Sequence, residues 1–556
     1  MYKCPGCGAA LRFDPKSQMM LCDHCQTTLS PKSEELVNII QSHGQEAVGE
    51  VPGQDGKIQT IVYTCPNCGG TILSTDETAA TFCNYCGASV LLEGRLELED
   101  VPDVIIPFHV DKDDCKAAYR RLLGKAIFTP SYMRRDVEIE KFRGIYMPYW
   151  IYSFFAEGDT HGKGQTSHRS GDYIITDHYR VDRYIRSNYD GLSYDAASDF
   201  SDVLSEAISP FRSMEAESFR PSYMSGFYAD VSDVDEDVYE PDAENVARSY
   251  MANETVRDHA YSRYGVSASD VSRSVPIASM PKRKGYFPVW FLASRIPGRE
   301  EVVYAIVNGE TGKIAADLPV AFWKYLLGSL LLAVPLFFVL NLALTLTPTA
   351  ALIATIVVSA IMLFVLNRQF TKTYERQNGI DKGMLNKWSK TAKPEKEEPL
   401  ETAKEKVRQE EKKDFGKGCL KVMFWILFGF ALFILFGFLS DSGVSGEFAF
   451  YVVAGIAVAA AVVSSMIGKK PANKEVAARQ KVPVSKRMKY LIKPLIAIAA
   501  AALVLLINPV EDVWYYGAAV FAELMVIWCA LDAVSLHNQE TTRPLPQFNK
   551  RGGFGQ

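Results

Sequence analysis

Four Cys-x-x-Cys pairs crowd into the first 86 residues: Cys4 with Cys7, Cys22 with Cys25, Cys65 with Cys68, and Cys83 with Cys86. Such a turn aims two thiolates at one point, and the first two pairs have the same spacing as the second two, so the chain predicts two separate four-sulfur sites. Four soft sulfurs in a tetrahedron suit Zn2+ and leave no coordination position open, which marks both sites as structural zinc ribbons and not catalytic centres. Gly8, Gly69 and Gly87 follow the second cysteine of their pairs, as a turn with N–H groups directed at the sulfurs requires. His24 lies between Cys22 and Cys25, but Tyr85 holds the matching place in the second copy, so His24 is not read as a ligand. Eleven cysteines in 556 residues exclude a disulfide scaffold and indicate metal held in a reducing compartment.

The ribbons divide the N-terminal part into ribbon 1 (residues 1–30), a helix and linker (31–60) and ribbon 2 (61–100). Leu36, Ile39 and Ile40 stand at helical spacing, and Gly49 to Gly56 reads as a linker that lets the two ribbons move independently. Zinc ribbons often bind nucleic acid, which needs clustered cations. Ribbon 1 offers Lys3, Arg12 and Lys16; Ile61 to Leu91 offers no Lys or Arg and carries Asp76 and Glu77; the whole chain has a net charge of -5. Nucleic acid is therefore not the expected partner, and the ribbons read as structural or protein-docking elements.

Residues 101–320 mix helix and strand periods, which indicates a soluble α+β domain. A helix capped by Asp is expected over Asp111 to Lys125, strands over Ile145 to Phe155 and Tyr173 to Ser187, and a second helix from about Pro241 with Asp242 and Glu244 at its positive end. Strands return from Tyr286 to Lys313 around the turn Asn308-Gly309-Glu310-Thr311-Gly312. Gly144 to Trp150 and Lys284 to Trp290 echo each other, each with a proline among aromatics. That pattern predicts a duplicated core element on an edge strand or bulge, anchored by Trp150 and Trp290. His161, His168 and His178 come without a catalytic or metal motif. The acidic stretch Asp230 to Glu244 has Val238 where a calcium loop needs glycine, and Cys115 reads as a packing residue. No enzymatic activity is expected.

Apolar runs of membrane-spanning length dominate the C-terminal third: Tyr325–Leu346, Thr349–Leu366, Val422–Leu439, Phe448–Ile467, Tyr490–Ile507 and Val513–Val534. They predict an α-helical membrane domain of six spans in three hairpins (321–367, 422–468 and 490–536). Charged loops at 368–421 and 469–489 separate the hairpins, and a tail follows at 537–556. Arg368 to Lys421 holds 15 Lys and Arg, and Lys469 to Lys493 holds nine against Glu475 alone, whereas the turns within hairpins carry none. The positive-inside rule then puts both loops and both termini in the cytoplasm, and the start of the chain has no apolar run of the kind a secretory signal needs. Lys469 to Lys493 is expected to touch anionic lipid headgroups. Glu523 near the middle of the last span and Asp532 toward its cytoplasmic end are candidates for helix packing or an ion path, with Asn341 a hydrogen-bonding candidate.

The ribbon pair, the aromatic strand Tyr146 to Trp150, the turn Val307 to Lys313 and the apolar spans, in this order, resemble the bacterial TFIIB-type zinc-ribbon membrane proteins. Within that group the chain is similar to the YdjG-like proteins associated with phage-shock PspA homologues and SPFH-type membrane scaffolds. The resemblance carries over the eight cysteines as zinc ligands. It implies a non-enzymatic membrane adaptor that recruits PspA-like or SPFH-like protein partners in envelope stress. Membrane lipid and a homo-oligomer of the chain complete the expected partners; a membrane-tethered nucleic-acid binder and a channel or transporter centred on Glu523 are the alternatives.

Overall fold

The computed structural model describes residues 2–33, 57–74, 83, 85–86, 93–198, 200–343, 347–378, 382 and 484–544. The expected helix and linker before residue 57, most of the two charged loops, the hairpin over 422–468 and the tail beyond 544 lie outside the described residues. The chain forms two units: Met1–Leu318 with Ile380–Thr391 and Thr542–Gln556, and Pro319–Gly379 with Ala392–Thr541.

Ribbon 1 builds its own three-stranded antiparallel sheet from β1 (Leu11–Asp14), β2 (Met19–Cys22) and β3 (Thr28–Leu29). The other strands of this unit make one sheet. Ribbon 2 gives β4 (Lys57–Thr64), β5 (Thr71–Ser74) and β6 (Glu93–Asp100). There follow β7 (Val104–Ile105), β8 (Arg143–Ser170), β9 (Tyr173–Asp195), β10 (Glu217–Ser218), β11 (Tyr228–Ala229), β12 (Ile277–Ser279), β13 (Arg283–Arg295), β14 (Glu301–Asn308), β15 (Ile314–Ala316) and β16 (Arg543–Pro544). Around them stand α1 (Lys112–Lys125), α2 (Asp202–Ile208), α3 (Glu240–Val256), α4 (His259–Arg263) and α5 (Ala268–Ser272). Asp111 caps α1 as expected, its Oδ1 accepting the Asp114 N–H at 2.7 Å. In the Asn308 turn, the Asn308 side chain accepts the N–H groups of Glu310 and Thr311 at 2.9 Å each, and Gly312 takes the positive φ.

The two proline-bearing motifs pair with each other in the middle of this sheet. In the antiparallel β8–β13 ladder Tyr286 faces Pro148, Pro288 faces Tyr146, Lys284 faces Trp150 and Trp290 faces Gly144, a register that a local two-fold exchange leaves unchanged. Each half repeats the order short strand, helix, long strand, antiparallel strand: β7–α1–β8–β9 and β11–α3–β13–β14. The short strands are exchanged, β7 lying parallel to β13 and β11 parallel to β8. The hydrogen bonds repeat as well. Trp150 Nε1 donates to Val234 O at 2.9 Å and Trp290 Nε1 to Val110 O at 2.8 Å; Ala196 N and Gly309 N donate to the carbonyls of Pro148 and Pro288, both at 2.8 Å.

This corrects the expectation of an edge strand or bulge. A strand residue's N and C=O point to the same side, and both proline carbonyls point away from the β8–β13 ladder. Each proline nitrogen therefore faces the gap where one neighbour strand hands over to the next, β11 to β9 beside Pro148 and β7 to β14 beside Pro288. No ladder bond is lost there, so proline is tolerated inside the sheet.

The pleat sorts the core by period two. Ile145, Met147, Tyr149, Phe287, Val289 and Phe291 share one cluster with Cys65, Cys68, Cys83, Tyr85 and Cys86. Tyr146, Tyr286, Trp290 and Leu292, on the other face, cluster with α1 and with Cys4, Leu11, Phe13, Met20 and Cys22. The two cysteine clusters thus pack with opposite faces of β8 and β13, and the expected independent movement is corrected: burial of those apolar side chains fixes both ribbons.

The β8–β9 hairpin, legible as two short strands, is much longer than expected and pairs without interruption from Phe154 and Tyr189 to Ser170 and Tyr173. Helices α4 and α5 lie against it where β8 has no side chains in the way: a Cβ on Gly164 would stand 2.3 Å from Tyr264 O and one on Gly162 2.4 Å from Val266. Beyond Tyr179, whose ring meets Tyr264 at 4.6 Å, the hairpin continues as an arm with Tyr173, Ile174 and Ile175 exposed.

In the second unit, α6 (Phe322–Ala343), α7 (Pro348–Asn378), α8 (Val484–Ile507) and α9 (Asp512–Thr541) are long and apolar enough to cross a membrane. Four such helices stand among the described residues, not six. Leu363, Leu366 and Phe370 of α7 cluster with Leu491 of α8 and with Cys529 and Leu536 of α9; Leu352, Ala501, Leu505 and Tyr515 form a second layer.

Candidate metal centres

Each ribbon brings its four sulfurs together. In ribbon 1, Cys4 Sγ lies 3.4 Å from Cys25 Sγ and Cys7 Sγ 3.5 Å from Cys22 Sγ; in ribbon 2, Cys65–Cys86 and Cys68–Cys83 are 3.9 and 3.6 Å apart. Within each cluster all four lie within 4.8 Å of one another. Four sulfurs each about 2.3 Å from a central Zn2+ would stand about 3.8 Å apart in a tetrahedron. Either cluster could hold one metal ion through all four cysteines.

The knuckles form for the reason their sequence suggests. Gly8 N donates to Cys4 O and Gly69 N to Cys65 O, both at 2.8 Å, with φ of 74° and 78° at the glycines. In the second knuckle of ribbon 1, Gln26 occupies the equivalent place at φ 61°, its N–H bonded to Cys22 O.

Surroundings separate the two sites. In ribbon 1, Cys4 and Cys22 are buried and Cys7 and Cys25 exposed; in ribbon 2 all four are buried. The Thr27 hydroxyl, 3.0 Å from Cys25 Sγ, and the Thr27 N–H hold the Cys25 thiol down to about 6. In ribbon 2 the neighbouring Cys68 lowers Cys65 to about 7. Asn67 Nδ2 donates to Cys86 Sγ at 3.3 Å and Gly70 N to Cys68 Sγ at 3.5 Å. Arg295 Nε donates to Cys86 O and Tyr304 Oη to Tyr85 O, both at 2.7 Å, and the Tyr85 hydroxyl bonds Asp230. Ribbon 1 is held by Phe13 N to Ser225 O (3.0 Å), Ser225 Oγ to Leu11 O (3.0 Å), Gln18 Nε2 to Phe108 O (2.7 Å) and the Phe13–Tyr223 ring contact.

The other sequence candidates are placed as follows. His24 is exposed and outside the sulfur cluster. His161 lies at the base of the β8–β9 hairpin beside Asp182 (2.7 Å) and His168 on the arm beside Asp177 (3.9 Å), and among the described residues no histidine joins a metal-type cluster. In the acidic stretch Asp233 accepts from the Ser198 N–H and hydroxyl, Asp237 pairs with Lys282 and Glu244 with Arg248, so these side chains hold elements together. Cys115 is buried in the core, and burial raises its thiol. Glu523 is exposed on α9. The carboxylate the helix bundle encloses is Asp532, bound to Lys493 Nζ at 2.5 Å, with that ammonium 4.3 Å from the Trp528 ring. The sequence signal for this pair was Lys493, read only as the end of a basic loop.

Two four-cysteine clusters on a duplicated sheet domain, in one chain with long apolar helices, define the class of molecule. The chain is 26% identical over 329 residues to the uncharacterised protein YdjG of Bacillus subtilis (strain 168), which amounts to 58% of this chain and 91% of that protein. No family model matches the chain, and no solved structure matches it.

Proposed function

We propose that the protein is a non-enzymatic membrane adaptor: two zinc ions stabilise a rigid soluble platform, the apolar helices fix it to the cytoplasmic membrane, and the platform recruits protein partners from the cytoplasm. The observation that carries this reading is the β8–β9 arm, which exposes Tyr173, Ile174 and Ile175 beyond the helices that brace its base. Long exposed apolar side chains on a braced hairpin are what a docking element presents. The sulfur spacing supports zinc as the ion.

Six spans in three hairpins, with both termini cytoplasmic, agree with one further feature. β16, after the last apolar helix, pairs with β14, before the first, so residues 319–541 leave one sheet and return to it, as an even number of crossings requires. By resemblance the partners are PspA-like or SPFH-like proteins and the setting is envelope stress. Nucleic acid fits less well, because ribbon 1's Arg12 and Lys16 are already paired with Asp23 and Asp111.

The test is crosslinking and pulldown from native membranes, with zinc quantified on the same sample. Capture of a discrete protein by the wild type and its loss in an Ile174→Asp, Tyr173→Ser chain that retains two zinc ions would support the adaptor. Undiminished capture by that chain would remove the arm from the interface, and zinc without a stable partner would sink the reading.

A further inference from the structure

The two sulfur clusters have the same ligands but not the same access. In ribbon 1 both knuckle loops, Pro5 to Gly8 and Asp23 to Gln26, lie at the surface and carry Cys7 and Cys25 with them; Cys4 and Cys22 are buried. In ribbon 2 no cysteine is more than 2% exposed, and Arg295 and Tyr304 bond the backbone at Cys86 and Tyr85. A small oxidant in solution therefore meets sulfur in ribbon 1 first.

The exposed sulfurs are also placed for disulfide formation. Each has a buried sulfur of the other knuckle beside it: Cys4 Sγ stands 3.4 Å from Cys25 Sγ, and Cys22 Sγ stands 3.5 Å from Cys7 Sγ. A disulfide of about 2.05 Å needs a closure of only about 1.4 Å from there. The thiolate is the form of cysteine that oxidants attack, and a metal-binding cysteine is a thiolate, so among such ligands exposure decides which reacts. In a reducing compartment disulfides are transient, and redox sensing is one of their usual roles.

We infer that ribbon 1 is a site of reversible oxidation by hydrogen peroxide that costs it its metal ion, while ribbon 2 keeps its own. The Cys25 thiolate attacks peroxide; the O–O bond breaks, sulfur keeps one oxygen as a sulfenic acid, and the other leaves as hydroxide. The Cys4 thiolate then attacks that sulfur, the S–O bond breaks, a second hydroxide leaves and the Cys4–Cys25 disulfide forms. Two solvent protons turn the hydroxides into water, and two electrons have passed from the sulfur pair to peroxide. A second peroxide joins Cys7 to Cys22 by the same steps. Once the first pair is consumed, two ligands remain of four, and ribbon 1 no longer holds Zn2+. The inference rests on the proposed zinc loading and not on the adaptor's partners.

The test titrates the purified full chain, carrying two zinc ions, with hydrogen peroxide in the presence of a zinc-binding dye. Alkylation in denaturant and mass spectrometry then map thiols and disulfides. Release of one zinc ion of the two is expected, with peptides that link Cys4 to Cys25 and Cys7 to Cys22, while Cys65, Cys68, Cys83 and Cys86 are recovered as alkylated thiols. Dithiothreitol with added zinc should restore the four thiols and the second ion. Parallel loss of both ions, disulfides in ribbon 2, or retention of both ions at excess peroxide would overturn the inference and leave the zinc reading standing. A chain that purifies without zinc would sink the zinc reading itself, and this inference with it.

Discussion

The two ribbons have the same ligands at the same spacing and sit differently in the molecule. Ribbon 2 is sewn into the main sheet, β5 pairing with β11, and its four sulfurs are buried among Phe291, Tyr304 and Met147. Ribbon 1 keeps a sheet of its own and turns Cys7 and Cys25 to solvent, touching the domain through one face. The motif therefore specifies the metal site, while the surroundings decide how much of the fold depends on it. A metal ion bound in ribbon 2 would be coupled to the folding of the whole first unit; one bound in ribbon 1 would be coupled to a lobe.

The sharpest test of that difference is Cys68→Ser. Structural zinc contributes on the order of 10 kcal/mol, as much as the stability of a whole domain, so with zinc as the proposed ion the first unit should fail to fold. Loss of the first unit's β-sheet circular dichroism in the purified chain would show it, and a folded unit holding one zinc ion would break the comparison. Phe13→Ala should cost about 3 kcal/mol, because it empties the contact with Tyr223, yet leave both metals bound; proteolysis should then release ribbon 1 first. A thiol-competing chelator should remove one zinc quickly and the second only as the unit unfolds, since exposed Cys7 and Cys25 can be displaced one at a time; two equal rates would contradict the assignment.

The smallest effect belongs to Lys16→Ala. Its pair with Asp111 is exposed on the lysine side, and such pairs contribute little. Burial raises the Asp111 carboxyl, but Lys16 and the Asp114 N–H outweigh it and hold it below its usual value. A carboxyl depressed by folding stabilises at pH above its unfolded value, about 4, and loses that contribution as acid protonates it. The melting temperatures of Lys16→Ala and wild type should therefore stay close and parallel between pH 8 and 5. A gap that opens in this range would show that another group governs the dock.

What was legible in the sequence was local. The cysteine spacing, the Asp111 cap, the Asn308 turn and the start of α3 each depend on neighbours a few residues away, and all stand where the pattern puts them. The echo of Tyr146 to Trp150 in Tyr286 to Trp290 revealed the duplication, but not that the copies pair with each other. That pairing is made over some 140 residues, and the outer strands that change over beside Pro148 and Pro288, which make these prolines harmless, are just as remote in sequence. The docking of the ribbons was hidden for the same reason: Gln18 to Phe108 and Tyr304 to Tyr85 join residues that no periodicity connects. In the second unit hydropathy located the four described helices, but not which of Glu523 and Asp532 the bundle encloses.

β16 also sets an order of events during synthesis. β14 leaves the ribosome with its edge at Glu301 and Val302 unpaired, and the residues that cover it, Arg543 and Pro544, are made some 240 positions later. At ordinary translation rates that delay is on the order of tens of seconds, during which the apolar helices α6 to α9 are made. Arg543, whose guanidinium then lies 5.6 Å from the centre of the Tyr304 ring and 3.7 Å from Asp317, closes the sheet last. On the proposed membrane topology, a nascent chain that threaded the bilayer an odd number of times would deliver this strand to the wrong compartment and leave the edge of β14 open.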